Sequence, residues 1–231
     1  MKDMPDRTPF PVKDSAMSRT VFLDSGSASI QHLCRKDKRF AKLFSMIGPI
    51  SYTTYEDGYA FLVQEVIEQM ISTRAAAKIY ARLEALCGGS VTVERISALS
   101  DSQIRSIGSS GRKVQTIRCL TEAVRDGTLS LPALCPLPDE GVMADLMSLH
   151  GIGAWTAKMY LIFVLDRQDI LPFEDGAFLQ SYKWLYKTND TSPKAVRAKC
   201  RKWKPYSSIA ARYLYRALDC GLTREEFHLF K

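Results

Sequence analysis

The segment Leu149-His150-Gly151-Ile152-Gly153-Ala154-Trp155-Thr156-Ala157 carries residue types and a spacing suited to an anionic ligand. Two glycines flank one apolar residue between two stretches of helical patterning. Glycine accepts positive φ and leaves no side chain between backbone and ligand. Such a hairpin can aim its N–H groups, and the N-terminus of the helix that follows, at a phosphate. Ile152 can tuck inward and lock the turn. The same pattern also serves as a plain tight connector. Twenty-four residues after Gly151, Leu171-Pro172-Phe173-Glu174-Asp175-Gly176 places a carboxylate, Asp175, ahead of a helical stretch with Phe178, Leu179 and Tyr182. An Asp in that position ordinarily caps a helix. A catalytic carboxylate would stand in the same place, and the residues alone leave both open.

The elements that must position these residues are helical. From Tyr59 to Leu86 apolar residues recur at Leu62, Val66 and Met70, then at Ile79, Leu83 and Leu86, the spacing of helix faces. Ser72 is a candidate N-cap for a second helix that Gly88-Gly89 ends, so two helices joined at a kink are expected. Ser100 to Arg105 begins another helix. Gly108-Ser109-Ser110-Gly111 is a turn feeding one from Lys113 to Arg125, and Pro132, Pro136 and Pro138 mark a connector. Asp139 is expected to cap a helix with Val142, Leu146 and Leu149 on one side. Ser192-Pro193 opens a helix to about Lys204, Pro205-Tyr206-Ser207 breaks it, and Ile209 to Leu218 is the last long helix. Thr223 with Glu226 suggests a capping box. No sustained two-residue alternation is present, so the fold class is expected to be all-α. Residues 1–28, with Pro5, Pro9, Pro11 and Ser25-Gly26-Ser27, read as an irregular N-terminal arm ahead of a domain spanning 29–231.

Composition narrows the class of protein. A chain of 231 residues with 46% hydrophobic and 25% charged content is that of an ordinary globular protein. No apolar run is long enough to span a bilayer, and Lys36, Asp37, Lys38 and Arg39 do not fit a signal peptide, so a cytosolic protein with no membrane role is expected. Six cysteines without a CxxC pair fit reduced thiols better than disulfides, a zinc site or an iron–sulfur cluster. His32, His150 and His228 lie far apart and suggest no metal centre. The net charge of +7 points toward a polyanionic partner. Lys194, Arg197, Lys199, Arg201, Lys202 and Lys204 crowd one helix, either as a solvated face or along a phosphate backbone.

Taken together, Gln69-Met70-Ile71-Ser72 with Ala75-Ala76, the hairpin through Trp155-Thr156-Ala157, the Pro172 to Asp175 loop, and Trp203-Lys204-Pro205-Tyr206 resemble the helix–hairpin–helix (HhH-GPD) DNA glycosylases, specifically their 3-methyladenine glycosylase branch. The resemblance covers roughly residues 58 to 218. It implies a two-lobed helical fold with an active-site cleft between the lobes. The implied protein bends double-stranded DNA, flips a damaged nucleotide and hydrolyses its N-glycosidic bond. By the same resemblance Asp175 is the catalytic carboxylate. Trp155, Met159 and Tyr215 line the base pocket, Gln69 and Met70 form the wedge in the duplex, and Gly151, Ile152, Gly153 and Thr156 meet the DNA backbone. Met70 and Trp155 also lie on apolar helical faces, where core packing is the default. Lyase relatives place an amine where this chain has Trp155, which implies a monofunctional hydrolase, and Lys158 should point elsewhere. The resemblance implies no cofactor and no iron–sulfur cluster, allows a monovalent cation at the hairpin carbonyls, and suits a monomer. Localisation would be cytoplasmic, on the nucleoid in a bacterium, or nuclear in a eukaryote. Too little chain precedes the first helix for the N-terminal β domain of some relatives.

These residue types suit the implied chemistry. An alkylated purine carries positive charge that already weakens its bond to the sugar, so strong acid assistance is not needed. The harder task is to stabilise the sugar cation and guide water, which an ionised carboxylate does. A cationic base is attracted to aromatic faces such as those of Trp155 and Tyr215. The chain departs from the family pattern at Glu174, where many relatives carry a second Asp, at Ser207, where Arg is frequent, and at Met159, where some carry an aromatic. Those departures bear on substrate range. The rival readings are a DNA-binding module without catalysis, which would have no use for Asp175 or an aromatic pocket, a glycosylase/lyase or oxidised-base glycosylase, and a helical protein scaffold.

Overall fold

A computed structural model describes residues 19–230. In chain order its elements are β1 (Thr20–Leu23), α1 (Ala28–Lys36), α2 (Lys38–Ile47), β2 (Ile50–Thr53), α3 (Gly58–Glu68), α4 (Thr73–Leu86), α5 (Val93–Ala98), α6 (Asp101–Ser106), α7 (Gly111–Arg125), α8 (Leu131–Leu134), α9 (Asp139–Met147), α10 (Ala154–Phe163), α11 (Gly176–Tyr186), α12 (Pro193–Cys200) and α13 (Ser207–Asp219), with 3-10 turns at Arg201–Trp203 and Leu222–Arg224. The fold is all-α in class, as expected. The chain divides into two compact units. One comprises residues up to Thr54 and from Asp166 onward, and the other is Tyr55–Leu165.

The helix starts follow from local capping. Ser72, Ser110 and Ser192 each accept a hydrogen bond from the backbone N–H three residues on, and Ser100 forms a capping box with Gln103. Gly88 and Gly89 adopt positive φ just past α4. Four expectations need correction. The residue that caps α9 is Pro138, with Asp139 already inside the helix, because proline's fixed φ suits the entry to the first turn. Thr223 makes no capping box; it sits in a 3-10 turn entered from left-handed Gly221, and Glu226 pairs instead with Lys187 at 2.6 Å. The basic run from Lys194 to Lys204 is split between α12 and the Arg201–Trp203 turn. Of the expected irregular arm, residues 1–18 lie outside the described residues, and Thr20–Leu23 is a strand. It pairs antiparallel with β2 in the register Leu23↔Ile50, with both of those side chains buried. Four residues are too few for alternation to stand out.

In the second unit α3 forms the centre. Every residue from Gly58 to Ile67 except Ala60 is buried, and the helix packs on α4, α7 and α10. Tyr59 Oη and Thr121 Oγ1 are 2.8 Å apart in that interior. Arg118 donates to the Ile96 carbonyl at 2.8 Å and to Asp101 at 2.7 Å, fixing α5 and α6 against α7.

The first unit is organised around a buried acid. Asp37 is 2% exposed and caps α2 through the N–H of Arg39. Its Oδ2 accepts from Tyr186 Oη and from Trp203 Nε1 at 3.0 Å, and Lys202 Nζ lies 3.1 Å from Oδ1. Burial alone would raise the Asp37 carboxyl; the Tyr186 and Trp203 hydrogen bonds and the Lys202 charge outweigh it and hold it below the ordinary carboxylate value. With the folded value below the unfolded one, about 3.9, the ionised form contributes stability that is complete at neutral pH and is lost as pH falls through the folded value. Asp37→Asn is expected to cost about 1–3 kcal/mol at pH 7, the worth of hydrogen bonds to a charged group. It should also flatten the acid limb of the stability curve. Denaturant melts at neutral and acid pH check both; an acid limb identical to wild type would mean that another group governs it.

Candidate nucleic-acid interface

The hairpin lies entirely in the second unit, between α9 and α10. Val142 and Leu146 bury one face of α9, and after the Leu149 carbonyl accepts from Ile152 N at 3.2 Å the chain turns back on itself. Ile152 is 4% exposed, the inward anchor its apolar character suggests. The two glycines do different work. Gly151 has φ +83°, and a Cβ there would stand 1.9 Å from Thr116 Oγ1, on the buried face of α7. Gly153 is extended, at φ −105° and ψ −179°, with nothing within 4 Å of a Cβ position. Its bareness therefore serves approach from outside rather than the turn itself. Gly153 is the N-cap of α10 and supplies no side-chain bond to the first turn. The positive end of α10 thus opens beside an exposed, side-chain-free backbone, a suitable cradle for a phosphate.

The loop between α3 and α4 meets this hairpin. Gln69 Nε2 donates to the Gly151 carbonyl at 3.0 Å and to Thr156 Oγ1 at 3.2 Å. The next residue, Met70, has φ +60° and a wholly exposed side chain. Core packing is thereby ruled out for Met70. A non-glycine residue in the left-handed region costs about 1–2 kcal/mol, and a large apolar side chain left in water gains nothing from burial to offset it. Lys113 Nζ donates to the Ile67 carbonyl at 2.8 Å, and Thr73 Oγ1 donates to Glu68 Oε1 at 2.8 Å, so both flanks of the loop are held.

The remaining candidates divide between the units. Trp155 is half-buried and Met159 is 4% exposed, both on α10. Thr156 is 1% and Ile152 4% exposed, so neither side chain is presented to a phosphate. Asp175 and Tyr215 belong to the first unit, on the mutually packed helices α11 and α13, and Tyr215 is 4% exposed. Asp175 is half-exposed and caps α11, accepting from Phe178 N at 2.7 Å. Its loop is folded by Asp175 N donating to the Pro172 carbonyl at 3.0 Å, with the Arg197 guanidinium 4.4 Å above the Phe173 ring. Ser207 holds Asp169 through its N–H and hydroxyl, at 3.2 and 2.6 Å.

The basic run is exposed except for half-buried Lys202, and several of its side chains also find partners within their own unit. Besides Arg197, Lys199 and Lys202 lie over the Tyr186 ring, Lys202 pairs with Asp37, and Lys204 stands 3.6 Å from Asp169. Among the described residues no three His, Cys, Asp or Glu side chains gather as metal ligands would, and none of the six cysteines is in a disulfide. No helix among the described residues is long and apolar enough to cross a membrane.

Residues 63–205 match the model of the HhH-GPD superfamily of base excision DNA repair proteins, and the chain belongs to that family. It is 27% identical over 192 residues to DNA-3-methyladenine glycosylase 1 of Schizosaccharomyces pombe, covering 80% of this chain and 84% of that one. A crystal structure of a DNA-3-methyladenine glycosidase from Bacillus halodurans superposes with a TM-score of 0.78 at 30% identity, covering 90% of this chain and 97% of the other. The 3-methyladenine DNA glycosylase of Schizosaccharomyces pombe in complex with abasic DNA superposes with a TM-score of 0.77 at 26% identity, covering 83% and 96%.

Proposed function

We propose that this chain is a monofunctional DNA glycosylase that removes alkylated purines of the 3-methyladenine and 7-methylguanine type from duplex DNA. The observation that carries this reading is the fully exposed, left-handed Met70 beside a glycine hairpin, in a chain of the base excision repair family. The named relatives above, and one of them bound to abasic DNA, support it.

In this reading Gly151, Gly153 and the start of α10 take the backbone phosphates, and Met70 enters the stack where the flipped nucleotide has left. An unbranched thioether side chain is suited to such a gap. Extrusion costs a few kcal/mol and costs least where the lesion weakens pairing. Half-buried Trp155 offers an aromatic face that attracts the positive charge of the base. The glycosidic bond breaks with its electron pair leaving on the base, which becomes neutral. Asp175 stabilises the sugar cation, and water adds to it, releasing a proton. No cofactor takes part. The partner is damaged double-stranded DNA, met by a monomer in whichever compartment holds that DNA.

Two outcomes are expected. Met70→Ala should weaken binding to an abasic-site duplex about tenfold, the worth of one or two buried methylenes. Its melting curve should not move, because a wholly exposed side chain leaves no cavity behind. A variant that binds the abasic-site duplex as tightly as wild type would overturn the wedge role. Borohydride added during turnover should trap no covalent enzyme–DNA adduct, since the Trp155 indole cannot form a Schiff base with the sugar. A trapped adduct would overturn the monofunctional assignment.

A further inference from the structure

We infer that Gln69 is a positioning residue that couples the phosphate-holding hairpin to the Met70 wedge. This rests on the function proposed above and adds a role for Gln69 distinct from entering the duplex. The carboxamide nitrogen is committed to the Gly151 carbonyl at 3.0 Å and to Thr156 Oγ1 at 3.2 Å, both in the hairpin and the first turn of α10. The adjacent Met70 points wholly outward. One residue of the loop therefore faces the hairpin while its neighbour faces solvent.

The backbone explains why a tether is needed at this point. Met70 sits at φ +60°, which an unrestrained methionine leaves readily. The flanks are held by Lys113 on the Ile67 carbonyl and by the Ser72 cap, but neither reaches the hairpin. Gln69 does reach it. Gly151 is itself immobilised from the other side, with Thr116 filling the space a Cβ would occupy. A rigid chain of contacts thus runs from α7 through Gly151 and Gln69 to the base of Met70. It fixes the reach of the wedge relative to the phosphate held by the hairpin, so that gripping the backbone and filling the stack occur in one register.

Gln69→Met tests this, since it keeps the length of the side chain and removes both donated hydrogen bonds. Gly151 is exposed, so its carbonyl can accept water and melting should stay close to wild type. Binding to an abasic-site duplex should weaken by about tenfold in the otherwise wild-type protein and by less than about twofold in the Met70→Ala background, the non-additivity of residues acting as one unit. A 2-aminopurine placed opposite the abasic site should report lost unstacking in both single variants. Equal losses in the two backgrounds would overturn the coupling and make Gln69 an independent DNA contact. A fall in melting temperature that accounts for the lost affinity would make it merely structural. Failure of the wild-type protein to bind the abasic duplex would instead overturn the proposed function.

Discussion

Asp175→Asn is expected to lower single-turnover base release by about a hundredfold or more while leaving the fold intact, as loss of one preorganised electrostatic group costs on the order of 3 kcal/mol. The side chain accepts from Phe178 N, and asparagine caps helices as well as aspartate does. The Arg197–Phe173 contact and the Pro172 turn do not depend on the carboxylate and should persist. What disappears is the negative charge that the proposed mechanism sets against a sugar cation. Affinity for DNA should hold or rise slightly, because a charge that repels phosphate is gone. Base release, a binding titration and a melting curve on one sample separate the possibilities. A variant that excises near the wild-type rate while folding and binding normally would leave Asp175 as a helix cap only.

The second large effect is on the fold. Gly151→Ala should destabilise by roughly 2–5 kcal/mol, combining the cost of a side chain at positive φ with overpacking in a filled interior. The new Cβ would meet the buried Thr116, whose hydroxyl is already bonded to the Arg112 carbonyl at 3.1 Å and whose β-branched side chain has little freedom to move. Gly153→Ala is the informative partner, since its backbone is extended and its Cβ position is open. There the fold should lose at most about 1 kcal/mol, the usual difference between N-cap residues, while binding to undamaged duplex weakens. Denaturant titration of both variants, with a binding titration of the second, checks the division. If Gly153→Ala binds as wild type, the hairpin does not present that backbone to phosphate.

Much of this division was legible in the residues, and the reasons for the rest are local. The helices opened by Ser72, Ser100, Ser110 and Ser192 could be placed because capping is a contact within three residues. The hairpin was legible as a pair of glycines, but not which of them the fold demands, since that depends on Thr116, which is remote in sequence. Helices α1, α2, α5 and α8 and the two strands were not placed: the strands, α8 and α5, which buries only Ile96, are too short for periodicity to stand out, and α1 and α2 lie in a stretch where charged and apolar residues are mixed. Asp37 was hidden in a run of charges, Lys36 to Arg39, that resembles a solvated surface; its partners Tyr186, Lys202 and Trp203 come from the far end of the chain. Met70 falls in an apolar pattern that suggests the core, and only its backbone conformation and exposure set it apart. The basic run, read as either a solvated face or a phosphate-lining one, is mostly exposed, and the ring and carboxylate partners of Arg197, Lys202 and Lys204 come from other stretches of the chain.

The account stands most directly on what the protein releases from randomly methylated duplex DNA. Chromatography of the freed bases should show methylated purines leaving the methylated duplex with the sugar–phosphate backbone uncut, and nothing leaving an unmethylated control. Intact methylated bases throughout, from a folded protein that still retains the duplex, would contradict it and leave a helix–hairpin–helix protein that binds DNA without cutting a base from it.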